Sequence, residues 1–303
     1  MPRFQLAHYG LVVLMTVTAG NAAAKALDPA NNLMPLDTKA SPAAIKLIPA
    51  GFHFAHPGEL TVAISAQNAP PLALLGADNK TRIGSDPDIA RLLADGLGLR
   101  LRLVPVSWEN WPLGIASGRY DAALVNIAVT EDRKKKYDFA TYRTDSLAFS
   151  VRKNSPIRSI HQPQDVSGLK VVVGSGTNQE RILLGWNQQD IQHHLAPAIP
   201  VYLTDDAAQS LALLSGRVDV IFGPQSAAAY KAALNGETRV VGLGPKLAQV
   251  AVTTKKGNGL VFALQAALNS SIQNGSYQQA LARWGLEDAA IKSSQVNPPG
   301  ITY

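Results

Sequence analysis

The sequence has no cysteine among its 303 residues and few aromatic residues, at 6%. The absence of cysteine excludes disulfide bonds, a cysteine nucleophile, thiolate metal ligands and a lipid-modified N-terminal cysteine. Charged residues are also sparse, at 17%, whereas 46% of the chain is hydrophobic. This balance is typical of a protein with sizeable buried cores, and the length favours two domains. Beyond the N-terminal region, no stretch is long and apolar enough to span a bilayer.

The formal net charge of +6 is modest and is spread along the chain. Because no aromatic platform is interleaved with the basic residues, the sequence does not predict a nucleic-acid-binding surface. A small positive excess slightly favours anionic or zwitterionic ligands. The adjacent His193 and His194 have no carboxylate at chelating spacing, so we predict neither a metal site nor a cofactor.

The N-terminus resembles a secretory signal peptide. It carries Arg3, an apolar run over 11–17 and three alanines at 22–24, which is the order of a charged region, a hydrophobic region and a cleavage site. The alternative is a buried first helix. We predict a signal peptide over residues 1–24 and export of the mature protein to the periplasm, with full secretion as the alternative.

Two decapeptides, residues 115–124 and 213–222, have nearly the same pattern. Each reads as a helix end, a Ser-Gly-Arg turn, an aspartate and a short apolar strand. Glycine suits the left-handed position that ends a helix, and an unbroken apolar run suits a strand covered on both faces. The repeat predicts two α/β lobes built on one plan, with a ligand-binding cleft between them.

Strands alternate with helices along most of the chain, which predicts parallel-rich sheets with helices on both faces. We predict an arm or linker over 25–58, and a first lobe from 59–150 together with 250–290. The second lobe covers 151–249, and residues 291–303 form a C-terminal tail. Two crossings between the lobes imply a two-stranded hinge that closes around a ligand.

Three local features of these elements can be compared directly with the structure. Asp86 is predicted to cap the N-terminus of a helix. Residues 108–117 are predicted to form the helix that precedes the first Ser-Gly-Arg turn. The apolar residues 147–151 are predicted to form a strand that leaves the first lobe.

Five motifs stand out along the chain. The most informative is VTEDRKKKYDF, residues 129–139. The others, in chain order, are 84–90 (GSDPDIA), 108–113 (WENWPL), 176–180 (GTNQE) and 274–286. Together they resemble the motifs of the bacterial extracellular solute-binding proteins that deliver polar amino acids to ABC importers. The resemblance implies a two-lobed type II periplasmic-binding-protein fold. It also implies a monomer that binds a small solute and passes it to a membrane permease.

Arg133 is the principal candidate for ligand contact. A guanidinium group can bind a carboxylate through two parallel hydrogen bonds, which fixes orientation as well as charge. Thr130, three residues earlier, can cap the same turn and offer a donor to the anion. The alternative, a solvated charge run, is the interpretation that we keep for 134–136.

Further candidates lie on both sides of the predicted cleft. Residues 174–176 lack the third glycine of a dinucleotide fingerprint, because Gln179 occupies that position. We therefore predict a small-anion site formed by Thr177 and Asn178, with a purely structural turn as the alternative. Trp108 is either a wall of the pocket or a core residue, and Asn126 is expected to contact the polar end of the ligand.

Several positions depart from the pattern that the resemblance implies. Pro224 stands where relatives usually have the aspartate that pairs with the ligand's α-ammonium. Ser65 and Asn68 replace an acidic residue and an aromatic one, and Ala128 replaces a hydroxyl residue. The carboxylate half of the site is therefore intact, while the ammonium half requires another partner or a ligand without an α-amine.

Asp205, Asp206 and Glu180 are the sequence-predicted substitutes for the missing aspartate. The main prediction is a binding protein that performs no chemistry. The alternative is a periplasmic enzyme on the same scaffold, a dehydratase acting on a cyclic carboxylic acid, which would need Glu180 or Asp205 as a general acid.

Overall fold

A computed structural model of the chain describes residue 36 and residues 38–302. The predicted signal peptide lies outside the described residues. The described chain forms two α/β lobes, each built on a five-stranded sheet. The predicted fold class is therefore confirmed.

The first lobe contains a sheet in the order β4-β1-β5-β12-β6. Its strands are β1 (Glu59–Ser65), β4 (Arg100–Val106), β5 (Ala122–Leu124), β6 (Tyr137–Asp145) and β12 (Ala248–Lys255), with a hairpin of β2 (Leu74–Leu75) and β3 (Arg82–Ile83) beside them. Its helices are α1 (Pro42–Ile45), α2 (Ser85–Gly96), α3 (Trp111–Ser117), α4 (Glu131–Lys134), α8 (Leu260–Asn274) and α9 (Ser276–Ala282). Strand β1 pairs in parallel with β4 and β5, as expected when a helix connects each strand to the next.

The second lobe contains a sheet in the order β11-β7-β10-β8-β9. Its strands are β7 (Leu147–Arg152), β8 (Lys170–Val173), β9 (Ile199–Tyr202), β10 (Val220–Pro224) and β11 (Thr238–Leu243). Its helices are α5 (Asn178–Gln192), α6 (Asp206–Leu214) and α7 (Gln225–Asn235). Stacked Phe149 and Phe222, with ring centroids 4.0 Å apart, lie in its core.

The repeated Ser-Gly-Arg turn has the same geometry in both lobes. Gly118 and Gly216 have φ angles of 73° and 77°, in the left-handed region that a glycine adopts without a Cβ clash. The aspartates that follow the two turns, Asp121 and Asp219, each accept a hydrogen bond from a backbone amide of a neighbouring strand. Asp121 accepts a 2.8 Å hydrogen bond from the Thr61 amide, and Asp219 accepts a 2.8 Å bond from the Lys170 amide. Each aspartate thereby ties the turn to the start of the neighbouring strand.

The chain passes between the two sheets near Ser146 and again between β11 and β12. The sequence-based prediction that residues 147–150 belong to the first lobe is wrong. Strand β7 pairs with β10 and β11 of the second sheet, so the change of sheet occurs at Ser146. The sequence of an apolar strand does not indicate which sheet the strand joins, because its partners are set by tertiary pairing.

Two predicted helix starts also differ from the structure. Helix α2 begins at Ser85 with Gly84 as its N-cap, so Asp86 is an internal, buried residue of the first turn. Helix α3 begins at Trp111, and Trp108 lies in the preceding turn.

The N-terminal arm and the C-terminal tail both pack on the first lobe. Within the arm, Ser41 caps the short helix α1, and its amide bonds the carbonyl of Gly96. Within the tail, Val296 bridges to Ala140, and Ile301 bridges to Thr130. The tail therefore reaches the turn that carries Arg133.

Candidate functional site

A cavity of about 250 Å³ lies between the two lobes and is lined by both of them. Eight of the ten residues that the sequence predicts as ligand contacts line it. They are Ser65, Trp108, Asn126, Ala128, Arg133, Thr177, Asn178 and Pro224. The cleft between the lobes therefore collects residues that are up to 159 positions apart, from Ser65 to Pro224.

Arg133 is held in the cavity wall by its own turn. The Thr130 side chain accepts a 3.1 Å hydrogen bond from the Arg133 amide, which caps α4 as predicted. The Arg133 guanidinium donates a 3.0 Å bond to the Ala128 carbonyl and lies 5.3 Å from the centroid of the Trp108 ring. These two contacts fix the position of the guanidinium group in the cavity wall.

Thr130 itself is buried and lines an outer pocket beside the main cavity. Its hydroxyl oxygen accepts a hydrogen bond from the backbone amide of Arg133, so Thr130 positions the arginine. Trp108 also contacts the core ring of Trp111, with 6.0 Å between centroids. Both sequence interpretations of Trp108 therefore describe part of its environment.

The N-terminus of α5 faces the cavity from the second lobe. Thr177 caps this 15-residue helix by accepting from the Glu180 amide at 3.2 Å, and its hydroxyl donates to the Gly174 carbonyl at 2.6 Å. Asn178 is the first helical residue and lines the cavity. Backbone amides and the helix dipole make such an end favourable for an anion.

The loop after β1 contributes one of its two predicted residues to the cavity. The Ser65 hydroxyl lines the cavity and accepts from the Gln67 amide at 3.2 Å. Asn68 lies on an exposed part of the loop, where its side chain accepts from the Leu75 amide at 3.0 Å. Asn68 thus holds the β2–β3 hairpin, outside the cavity, and the prediction that it contacts ligand is not supported by its position.

Asn126 connects the cavity to a buried cluster of charged groups. Its backbone is left-handed, with φ of 57°, and its side-chain oxygen accepts from the Arg143 guanidinium. Arg143 is fully buried and forms a 3.1 Å ion pair with Asp145. Asp86 accepts a 2.7 Å hydrogen bond from the Tyr142 hydroxyl in the same cluster.

Asp86 and Asp145 both line the cavity, although neither is among the site residues predicted from the sequence. Burial raises the pKa of Asp86 to about 6, although Arg143 and the Tyr142 hydroxyl favour its charged form. The sequence signal for Asp86 was its place beside Pro87, which suggested a helix cap. Its burial against β6 follows from tertiary packing.

Pro224 lines the cavity and precedes α7 as its N-cap residue. Its ring carries neither charge nor N–H, so it cannot take the part of an aspartate. Of the proposed substitutes, Asp206 lines the cavity and forms an ion pair with Lys231. Asp205 caps α6 through a 2.7 Å bond from the Ala208 amide, and Glu180 accepts from the Gly176 amide at 2.7 Å beside the outer pocket.

Contacts between the lobes surround the mouth of the cleft. Arg181 of α5 forms a 2.9 Å ion pair with Asp132 of α4. A Cβ atom added at Gly176 would lie 3.9 Å from the Trp108 indole nitrogen, so the two lobes are also close at this point. Lys246, at the second crossing, donates to the carbonyl of Thr302 in the tail. The structure therefore has the lobes in contact around the cavity.

No helix in the described part of the chain combines the length and the hydrophobicity that a membrane crossing requires. The described residues also contain no cluster of three or more histidine or acidic side chains placed to hold a metal ion.

A solved structure of a known protein has the same architecture, and two further proteins are similar in sequence. An ancestral arginine-binding protein bound to arginine superposes with a TM-score of 0.68 at 24% identity, over 75% of this chain and 98% of that one. The L-cystine-binding protein TcyJ of Escherichia coli K12 is 30% identical over 217 residues, which cover 71% of this chain and 78% of TcyJ. A cyclohexadienyl dehydratase of Pseudomonas aeruginosa is 30% identical over 104 residues, 32% of this chain and 37% of the enzyme.

The match at the family level covers residues 60–287, which include both sheets and nearly all the cavity lining. The predicted resemblance is thereby confirmed. This chain belongs to the bacterial extracellular solute-binding proteins, family 3.

Proposed function

We propose that this protein is the periplasmic amino-acid-binding component of an ABC importer, acting as a monomer and closing its two lobes around the ligand. The observation that carries the proposal is the position of Arg133, stacked on Trp108 in the cavity wall between the lobes. The relatives named for cystine and arginine binding support an amino acid as the ligand. The importer's membrane permease is the expected partner.

The ligand's carboxylate binds Arg133 from the first lobe and the N-terminus of α5 from the second. Its ammonium group faces Asp86 and Asp145, which line the same cavity. A short segment links the Asp86–Asp145 cluster to Arg133. The side chain of Asn126 accepts from Arg143 of that cluster, and the carbonyl of Ala128 accepts from Arg133. This arrangement supplies the negative charge that Pro224 lacks.

Calorimetry with Arg133→Ala tests the carboxylate contact. Loss of a desolvated bidentate contact costs about 2–5 kcal/mol, or roughly 30-fold to several-thousand-fold in affinity. Arg133→Lys is expected to bind weakly as well, because an ammonium group cannot reproduce the planar fork. Arg119→Ala, at the exposed turn after α3, is the matched control. Near wild-type affinity in either Arg133 variant would contradict the proposal.

We also propose that the protein binds its ligand without chemical change. The partial match to a dehydratase makes an enzyme the second candidate, and Asp86 is then the acid to consider, because it lines the cavity with a raised pKa. Mass spectrometry of ligand recovered after prolonged incubation separates the two. Release of water or carbon dioxide from a cyclic carboxylic acid by the wild type, and not by Asp86→Asn, would favour the enzyme.

A further inference from the structure

The cavity continues from the cleft into the second lobe, between α6 and α7. Its lining there includes Gln209, Ser210 and Leu213 from α6, and Ala227 and Ala228 from α7. Within the described chain, α7 has no buried residue. Alanine side chains are too short to fill the space between two helices and a sheet, and protein interiors rarely leave such space unoccupied. The branch therefore has the form of a compartment for part of a ligand.

A charged pair lies on this branch. Lys231 of α7 forms an ion pair with Asp206 of α6, and its ammonium group also lies 3.3 Å from the Ser210 hydroxyl. The two side chains are only 21% and 26% exposed. Both residues line the cavity. The branch therefore presents one group of each charge to the cavity.

The charged residues of the cavity lining that are at least partly buried fall into two groups, and each group contains both signs of charge. At the cleft the lining contains Arg133, Asp86 and Asp145, of which Asp145 is paired with the buried Arg143, and in the branch it contains the pair of Lys231 and Asp206. The two other charged residues of the lining, Glu109 and Lys246, are exposed. A protein cation near a protein carboxylate suits an amino-carboxylate group. The ligand's carboxylate pairs with the cation, and its ammonium group pairs with the carboxylate. The cavity therefore contains two such combinations of charge, with apolar walls between them.

We propose that the solute is elongated and carries an amino-carboxylate group at each end, with its second end bound by Lys231 and Asp206. The proposal rests on the proposed function, because the first end occupies the cleft beside Arg133. Side chains of Ala227, Ala228 and Leu213 enclose the linker between the ends. Lys231 and Asp206 are then specificity-determining residues, since a one-ended amino acid leaves them in contact with each other.

A structural role for the pair, holding α6 to α7, makes a different prediction. Loss of such a tie would lower stability and weaken every ligand alike. The experiment must therefore compare a two-ended ligand with a one-ended ligand of the same chemistry, in each variant.

The probes are L-cystine and S-methyl-L-cysteine, measured by calorimetry without reductant. The protein has no cysteine, so it cannot exchange disulfides with L-cystine. The variants are Lys231→Met, Asp206→Asn and the double variant, in which neither charge is left unpaired. Lys153→Met, an exposed lysine of the same lobe, is the matched control. Thermal unfolding of each variant reports whether the fold is kept.

We expect the wild type to bind cystine at least 30-fold more tightly than S-methyl-L-cysteine. Lys231→Met and the double variant are expected to lose most of this preference, while their affinity for S-methyl-L-cysteine changes less than 3-fold. An unchanged preference, or an equal loss for both ligands, would overturn the inference. If the wild type binds one-ended amino acids better, the inference fails and the proposed function stands. If it binds no amino acid, the proposed function fails too.

Discussion

At the scale of single residues, the site depends on how burial changes the chemistry of a few side chains. Arg133 is oriented by a capped turn and an aromatic ring, so little of its side chain needs to reorganise on binding. Asp86 is the opposite case, because its carboxyl group is placed where the charged form is costly.

Asp86 should give the protein a measurable pH dependence of stability. Its pKa is about 6 in the folded protein, against 3.8 in the unfolded chain. The folded state therefore binds the extra proton, and the associated stability is full below pH 4 and is lost as the pH rises through 6. The loss corresponds to about 3 kcal/mol, since one pKa unit equals 1.36 kcal/mol.

Denaturant unfolding of the wild type and Asp86→Asn at pH 4, 5, 6 and 7 measures this effect. The amide keeps an acceptor for the Tyr142 hydroxyl, so the fold should be retained. The wild type is expected to lose stability relative to the variant as the pH rises. Arg143, Asp145 and Tyr142 remain in both proteins, and so their contributions largely cancel. Parallel pH profiles would show that Asp86 does not titrate in this range.

At the scale of elements, the C-terminal tail supports the arginine turn. The Gly300 amide donates to the Glu131 carboxylate at 2.6 Å, and the Ile301 amide donates to the Val129 carbonyl at 3.0 Å. Ile301 also lines the cavity. The sequence predicts no more than a tail for this segment, because its contacts are all with residues that lie far away in the chain.

Gly300→Ala should disturb this support. A Cβ atom at residue 300 would lie 2.6 Å from the backbone carbonyl carbon of Thr130, which cannot move without shifting the turn. We expect a loss of about 1–3 kcal/mol in stability, as for other overpacked sites, together with weaker ligand binding. Calorimetry and denaturant unfolding measure the two effects.

Gly185→Ala is the matched control for this substitution. Gly185 lies inside α5, and a Cβ atom added there would have no neighbouring atom within 4 Å. Alanine should therefore be neutral or stabilising by up to about 1 kcal/mol at this position. If Gly300→Ala behaves like Gly185→Ala, the tail does not constrain the arginine turn.

At the scale of the whole molecule, two crossings join the lobes, near Ser146 and between β11 and β12. Each lobe supplies part of the proposed ligand contacts, so only the closed arrangement makes all of them. Small-angle scattering is expected to show a smaller radius of gyration with saturating ligand than without it. An unchanged radius, for a ligand shown to bind, would contradict closure.

The Arg181–Asp132 ion pair across the cleft should make a small contribution to the closed state. Exposed pairs contribute about 0–1 kcal/mol, so Arg181→Glu is expected to weaken ligand binding up to about 5-fold. Lys135→Glu, which removes the within-lobe partner of the same Asp132, is the control and should have less effect. Equal effects of the two substitutions would mean that the pair does not act between the lobes.

The sequence by itself determined the local features of this protein. The Ser-Gly-Arg turns, the Thr130 cap and the Thr177 cap each depend on residues within a few positions of one another, so short-range rules suffice to predict them. The repeat and the alternation of strands and helices likewise predicted two α/β lobes. The resemblance to the solute-binding family implied that Arg133 lies in the cleft.

Only the tertiary structure decided which distant groups meet. Strand β7 joined the second sheet, Asp86 became part of the cavity, and Ile301 reached the site from the end of the chain. The pairing of Lys231 with Asp206 depends on the fold placing α7 beside α6. Nothing in the neighbouring sequence marks these contacts, because burial, and with it the pKa of a carboxyl group, is a property of the packed molecule.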